Sequence, residues 1–181
     1  INPDYSDAYS NLANIFEEQG KLDKAIDAYK TVISLKPFDA LAYNNMGNVF
    51  TDQGNVEKAI KAYKNAISLK PNYALAYNNL GIAFKDLGDL ENAIEAFKKA
   101  TSLKPDYATA YSNIGNILKD QGKLDEAIAS HEKAISLKPD YADAFCNMGV
   151  SFKHQGDFDK AIKAYKKALF LQPNFAQAHL N

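Results

Sequence analysis

The sequence predicts an all-α protein, an α-solenoid of tandem antiparallel helix pairs, and three observations predict it. Prolines return every 34 residues, at Pro3, Pro37, Pro71, Pro105, Pro139 and Pro173. Glycines keep the same step at Gly20, Gly54, Gly88, Gly122 and Gly156, as do alanines at Ala25, Ala59, Ala93, Ala127 and Ala161. Between these markers the apolar residues fall at helical spacing. A fixed period of this kind means that one supersecondary element is written again and again, each copy burying its apolar face against its neighbours.

Residues 1–5 read as the tail of a preceding copy. Five copies then span 6–39, 40–73, 74–107, 108–141 and 142–175, and 176–181 opens a sixth, all in one continuous array. Each copy divides into a first helix, a tight turn, a second helix and a short turn holding the proline. In the copy from Ala74 the first helix is expected to end near Leu87, because Gly88 can adopt the left-handed backbone that closes a helix. Asp89 is then an N-cap candidate. The second helix carries Leu90, Ile94, Phe97, Ala100 and Leu103 on one face. Pro105 cannot continue it and pushes Lys104 away from helical angles.

The totals remove several classes of function. The chain has 181 residues, 46% of them apolar and 24% charged, with a net charge of −1, so there is no basic field for nucleic acid, and no local basic run supplies one. All 21 basic residues are lysine, so planar fork recognition of phosphate or carboxylate by arginine is absent. Apolar runs are too short for membrane insertion, and the start Ile1-Asn2-Pro3-Asp4 has no signal-peptide character. A chain that opens at Ile1 without Met reads as a piece of a longer protein. The single cysteine, Cys146, excludes an internal disulfide framework and is compatible with a reducing, cytoplasmic compartment.

The repeated residues resemble the tetratricopeptide repeat family. Its large residue at the fourth place of each copy is matched by Tyr9, Tyr43, Tyr77, Tyr111 and Phe145. Its Leu-Gly pair is matched by Leu12-Ala13, Met46-Gly47, Leu80-Gly81, Ile114-Gly115 and Met148-Gly149, and the next aromatic by Phe16, Phe50, Phe84, Leu118 and Phe152. The later aromatic of the second helix is Tyr29, Tyr63, Phe97, His131 and Tyr165. Ala13, Leu118, His131 and Val32 depart from the pattern in packing detail. The resemblance implies a right-handed superhelix with first helices lining a concave groove, and a protein- or peptide-binding scaffold.

Helical spacing puts the second, fifth, sixth, ninth, twelfth and thirteenth places of each first helix on one face, which the resemblance points into the groove. The sixth place is always asparagine: Asn11, Asn45, Asn79, Asn113, Asn147 and, in the incomplete copy, Asn181. Asn44 and Asn78 occupy the fifth place, Asn14, Asn48 and Asn116 the ninth, and Lys85, Lys119 and Lys153 the twelfth. An amide donates and accepts, so it can bond to an extended peptide's main chain whatever that peptide's side chains are. With first helices on the order of 10 Å apart and an extended chain advancing about 3.3 Å per residue, one asparagine meets about every third peptide unit. Asparagine inside a helix costs roughly 0.6 kcal/mol against alanine, so a column of six forgoes about 4 kcal/mol unless it gains a partner. That partner is either a bound peptide or a neighbouring helix. The column is similar to that of the tetratricopeptide arm of O-linked N-acetylglucosamine transferase, which implies, as one alternative, a substrate-presenting arm of a larger glycosyltransferase-like enzyme. Another alternative is self-assembly into a homo-oligomer through uncapped repeat ends.

Glu17 and Thr51 at the twelfth place give way to Lys85, Lys119 and Lys153, so the face runs from acidic to more basic. The fifth place holds no lysine, which argues against the carboxylate clamp that some relatives use for chaperone C-termini. Nothing points to catalysis within the chain. His131, His154 and His179 fall at three different repeat positions, Asp and Glu gather at helix starts, and there is no triad, phosphate loop or metal-ligand spacing. No cofactor or metal is implied.

Overall fold

The computed structural model describes residues 4–173. The opening of the sixth copy, with His179 and Asn181, lies outside the described residues. The described residues form α1 (Asp4–Glu18), α2 (Leu22–Leu35), α3 (Ala40–Asp52), α4 (Val56–Leu69), α5 (Ala74–Asp86), α6 (Leu90–Leu103), α7 (Ala108–Asp120), α8 (Leu124–Leu137), α9 (Ala142–Gln155) and α10 (Phe158–Leu171), with no strand among them. None of these helices is long and apolar enough to cross a membrane.

The turn between paired helices is dictated by one residue. Gly88 has φ +84°, and Gly20, Gly54, Gly122 and Gly156 are likewise left-handed, a backbone that a side chain strains. In the third copy the Asp89 carboxylate accepts from the Asn92 backbone N–H at 3.3 Å and from the Asn92 side-chain amide at 2.7 Å, which ties down the first turn of α6.

The described residues fold as two compact bodies that divide between Leu103 and Lys104. In the first, α1 packs on α2, α3 on α4 and α5 on α6. Second helices also meet the next first helix, α2 on α3 and α4 on α5, and α3 touches α5. The second body repeats the scheme with α7 on α8, α8 on α9, α9 on α10, and α7 touching α9. The intimate contact within a pair is glycine under an aromatic ring. A Cβ on Gly81 would come within 2.7 Å of the Phe97 ring, and one on Gly47 within 2.5 Å of the Tyr63 ring. Absence of that carbon lets the ring lie against the helix backbone, and the alanines Ala25, Ala59 and Ala93 are fully buried around it.

Candidate functional site

The asparagine column divides by exposure. Asn11 is exposed, whereas Asn45, Asn79, Asn113 and Asn147 are half-buried. At the ninth place Asn14 is exposed and Asn48 and Asn116 are half-buried. The fifth place differs from the expected open face. Asn44 is 0% exposed and Asn78 4%, with Ser112 and Cys146 also buried, because this place lies too close to the next helix to face solvent. Asn44 and Asn78 turn their amides to the column instead, donating to Asn45 Oδ1 at 3.3 Å and Asn79 Oδ1 at 3.4 Å.

Asn79 bonds backwards to the preceding pair. Its Nδ2 donates to Asn48 Oδ1 at 3.0 Å and to Asn44 Oδ1 at 3.3 Å, so a neighbouring helix supplies partners to this member of the column. Asn48 Oδ1 also accepts from the Tyr63 hydroxyl at 2.9 Å, and Thr51 Oγ1 lies 3.1 Å from that hydroxyl. The first copy repeats the motif, with the Tyr29 hydroxyl donating to Asn14 Oδ1 at 2.6 Å. Sequence reasoning placed these tyrosines in the packing layer and missed their polar role.

Counting donors and acceptors shows what remains for a ligand. Both acceptor positions of Asn48 Oδ1 are filled, and the Asn48 NH₂ is left without a protein partner. Both hydrogens of the Asn79 amide are used, while its Oδ1 takes one long bond and keeps an acceptor position. Both residues line one hollow of ≈ 180 Å³, together with Thr51, Asp52, Tyr63 and Ile82. A fixed donor and a fixed acceptor therefore stand side by side above a tyrosine floor.

The surrounding field is acidic. Burial, then the charges of Asp52 and Glu18, hold the Glu17 carboxyl above the usual carboxylate range. Burial, aided by the Glu17 charge and opposed by a hydrogen bond from Asn45, pushes the Tyr29 phenol up to about 12. Tyr63 is raised by burial too, against the bond to Thr51. Farther along, Lys85 Nζ is 4.0 Å from Asp86, Lys119 Nζ is 3.3 Å from Asp120, and Lys153 is exposed.

In the second body the tyrosine–asparagine motif is broken in two ways. His131 stands where Tyr63 stands, fully buried, and neither ring nitrogen has a partner; Asn116 Oδ1 is also buried without one. In the fifth copy Tyr165 is present but Val150 replaces the ninth-place asparagine, and the Tyr165 hydroxyl has no partner. The described residues hold no group of three or more metal-ligating side chains.

The helix pairing and the repeated glycine–aromatic contacts agree with a family model described as "Cilia and flagella-associated protein 70 C-terminal domain", which matches residues 5–180. The chain belongs to this tetratricopeptide repeat family. The curated proteins compared give no match. Among solved structures, the MamA protein is 31% identical with a TM-score of 0.80, over 96% of this chain and 94% of that one. YrrB, described as a TPR protein with an unusual peptide-binding site, is 26% identical with a TM-score of 0.75, over 95% and 89% of the two chains. The pilF protein of Pseudomonas aeruginosa, 20% identical with a TM-score of 0.87 over 98% and 81%, shares the fold. As a tetratricopeptide repeat protein the chain is a protein-interaction scaffold.

Proposed function

We propose that this scaffold holds an extended polypeptide by its main chain, and that the hollow between α3 and α5 is where the contact is made. One observation carries the reading: Asn48, with an NH₂ that has no protein partner, and Asn79, with an acceptor position left on Oδ1, line the same hollow. A peptide unit offers the complement, one C=O and one N–H. The backward bonds from Asn79 to Asn44 and Asn48 fix the amide planes, so little side-chain freedom is lost when a peptide arrives. The asparagine column thus serves the neighbouring helix and the ligand together. Lys85 extends the candidate contact surface along α5 of the first body, Lys119 and Lys153 are candidate contacts on α7 and α9 of the second, and the acidic group of Glu17 and Asp52 favours a basic residue on the bound peptide. The peptide-binding site named for YrrB supports the class of ligand.

Asn48→Asp separates the roles. It keeps an oxygen for Tyr63 and Asn79 but removes the NH₂ of Asn48, which has no protein partner. Binding of labelled, unstructured peptides, read by fluorescence polarisation, should weaken about tenfold, the worth of about one charge-free hydrogen bond. A matched peptide with one backbone ester in place of the amide should lose a similar amount against the natural chain. Equal binding by the Asp variant and by the ester peptide would remove the main-chain reading.

A further inference from the structure

The first body also holds a groove of ≈ 620 Å³ between α4 and α6, with α5 beneath it. It shares no lining residue with the hollow around Asn48. Its floor is apolar, made of Tyr77, Leu80, Phe84 and Ala96, and its rim carries Lys64, Lys98 and Lys99 against the single carboxylate Glu95. None of the three lysines is within ion-pair distance of a carboxylate among the described residues. Lys64 Nζ lies 5.4 Å from the Phe84 ring centroid, so its charge is held over the floor.

The same place in other copies is built differently. Between α1 and α2 the hollow is ≈ 250 Å³, and its rim carries one lysine, Lys24, and the carboxylate of Asp27, which is bonded to Lys30. Between α9 and α10 it is ≈ 230 Å³, with Lys160 bonded to Asp157 at 2.7 Å and Lys163 and Lys167 beside it on the rim. Of these three hollows the groove over α5 has the largest volume, one that suits bound side chains, together with three rim lysines that make no ion pair among the described residues.

We propose that this groove is a second docking surface, which takes a segment of a partner protein carrying a bulky apolar residue flanked by carboxylates. The apolar side chain covers Tyr77, Leu80 and Phe84, and the flanking carboxylates meet Lys64, Lys98 and Lys99. Charge complementarity selects the occupant. A basic segment would meet three lysines and one glutamate, and a purely apolar one would leave the lysines partly desolvated with nothing opposite.

The probe is a labelled peptide with a Leu-Phe centre and two carboxylates on either side, beside a counterpart in which every carboxylate is replaced by lysine. The acidic peptide should bind the intact chain with a Kd well below ~1 mM, weaken with added salt, and exceed its basic counterpart by about tenfold or more. Lys98→Glu with Lys99→Glu should lower its affinity by about tenfold and raise that of the basic peptide, a reversal that a misfolded variant cannot give. Asn48→Asp should leave acidic-peptide binding unchanged, so failure here is separable from failure of the main-chain site. The proposal is overturned by no binding at ~1 mM, by equal binding of the two peptides, or by a Lys98→Glu/Lys99→Glu variant that binds as the parent does. It is overturned equally if light scattering shows copies of the chain pairing through these lysines, which makes a second copy the occupant.

Discussion

His131 makes stability depend on pH in a way that one substitution isolates. Its ring is completely buried, both nitrogens lack partners, and burial followed by the charge of Lys119 pulls it down to about 4 from the usual 6.5. A histidine depressed in the folded state binds its proton more readily when unfolded. Its contribution is therefore fully present above about 6.5, declines as pH falls from there towards about 4, and changes no further below. The gap between those values corresponds to about 3 kcal/mol. Carboxylates titrate in the lower part of the same window, so the reference is His131→Phe, which shares every carboxylate. Phe97 already occupies the equivalent place over Gly81, so phenylalanine fits. Urea unfolding followed by circular dichroism, from pH of about 7.5 to about 4, should show the parent losing about 3 kcal/mol more than the Phe variant. Two stability curves that stay parallel across that range would refute the reasoning, since the ring would then be protonated at no cost.

Two paired comparisons test the hydrogen-bond assignments by urea unfolding. Tyr63→Phe should cost about 1 kcal/mol, because Asn48 and Thr51 each lose the hydroxyl, whereas Tyr165→Phe should be neutral or stabilising because that hydroxyl is buried without a partner. Equal costs at the two sites would contradict the network. Asn79→Ala should destabilise by about 1–3 kcal/mol, since it removes two donors and takes a partner from fully buried Asn44, while Asn113→Ala, whose Nδ2 is buried and unpartnered, should cost less. A larger loss at Asn113 would mean that the column is not held as described.

Most of the fold was legible because it rests on residues whose effect is local. Gly88 must be left-handed whatever surrounds it, Pro105 must end a helix, and Gly81 must sit under an aromatic; each is decided by sterics within one copy. The candidate site was only half legible because it is decided between copies. Helical spacing assigned Asn44 and Asn79 to one face correctly as geometry on a single helix, yet it could not tell which of the two the next helix covers. The sequence did contain a signal for the cross-helix bond, in the pairing of the ninth place with the later aromatic. Asn14 goes with Tyr29 and Asn48 with Tyr63, where the hydroxyl has an amide to meet, and Ile82 goes with Phe97, where neither is polar. Asn116 with His131 and Val150 with Tyr165 break the rule, and there Asn116 Oδ1, both His131 nitrogens and the Tyr165 hydroxyl are left unpartnered. Read as pairs instead of columns, the same residues separate the asparagines engaged by a tyrosine from those that are not. The open hydrogen-bonding positions of Asn48 and Asn79 follow from that pairing, because only an amide already fixed by its neighbours has a definite group left to offer a peptide.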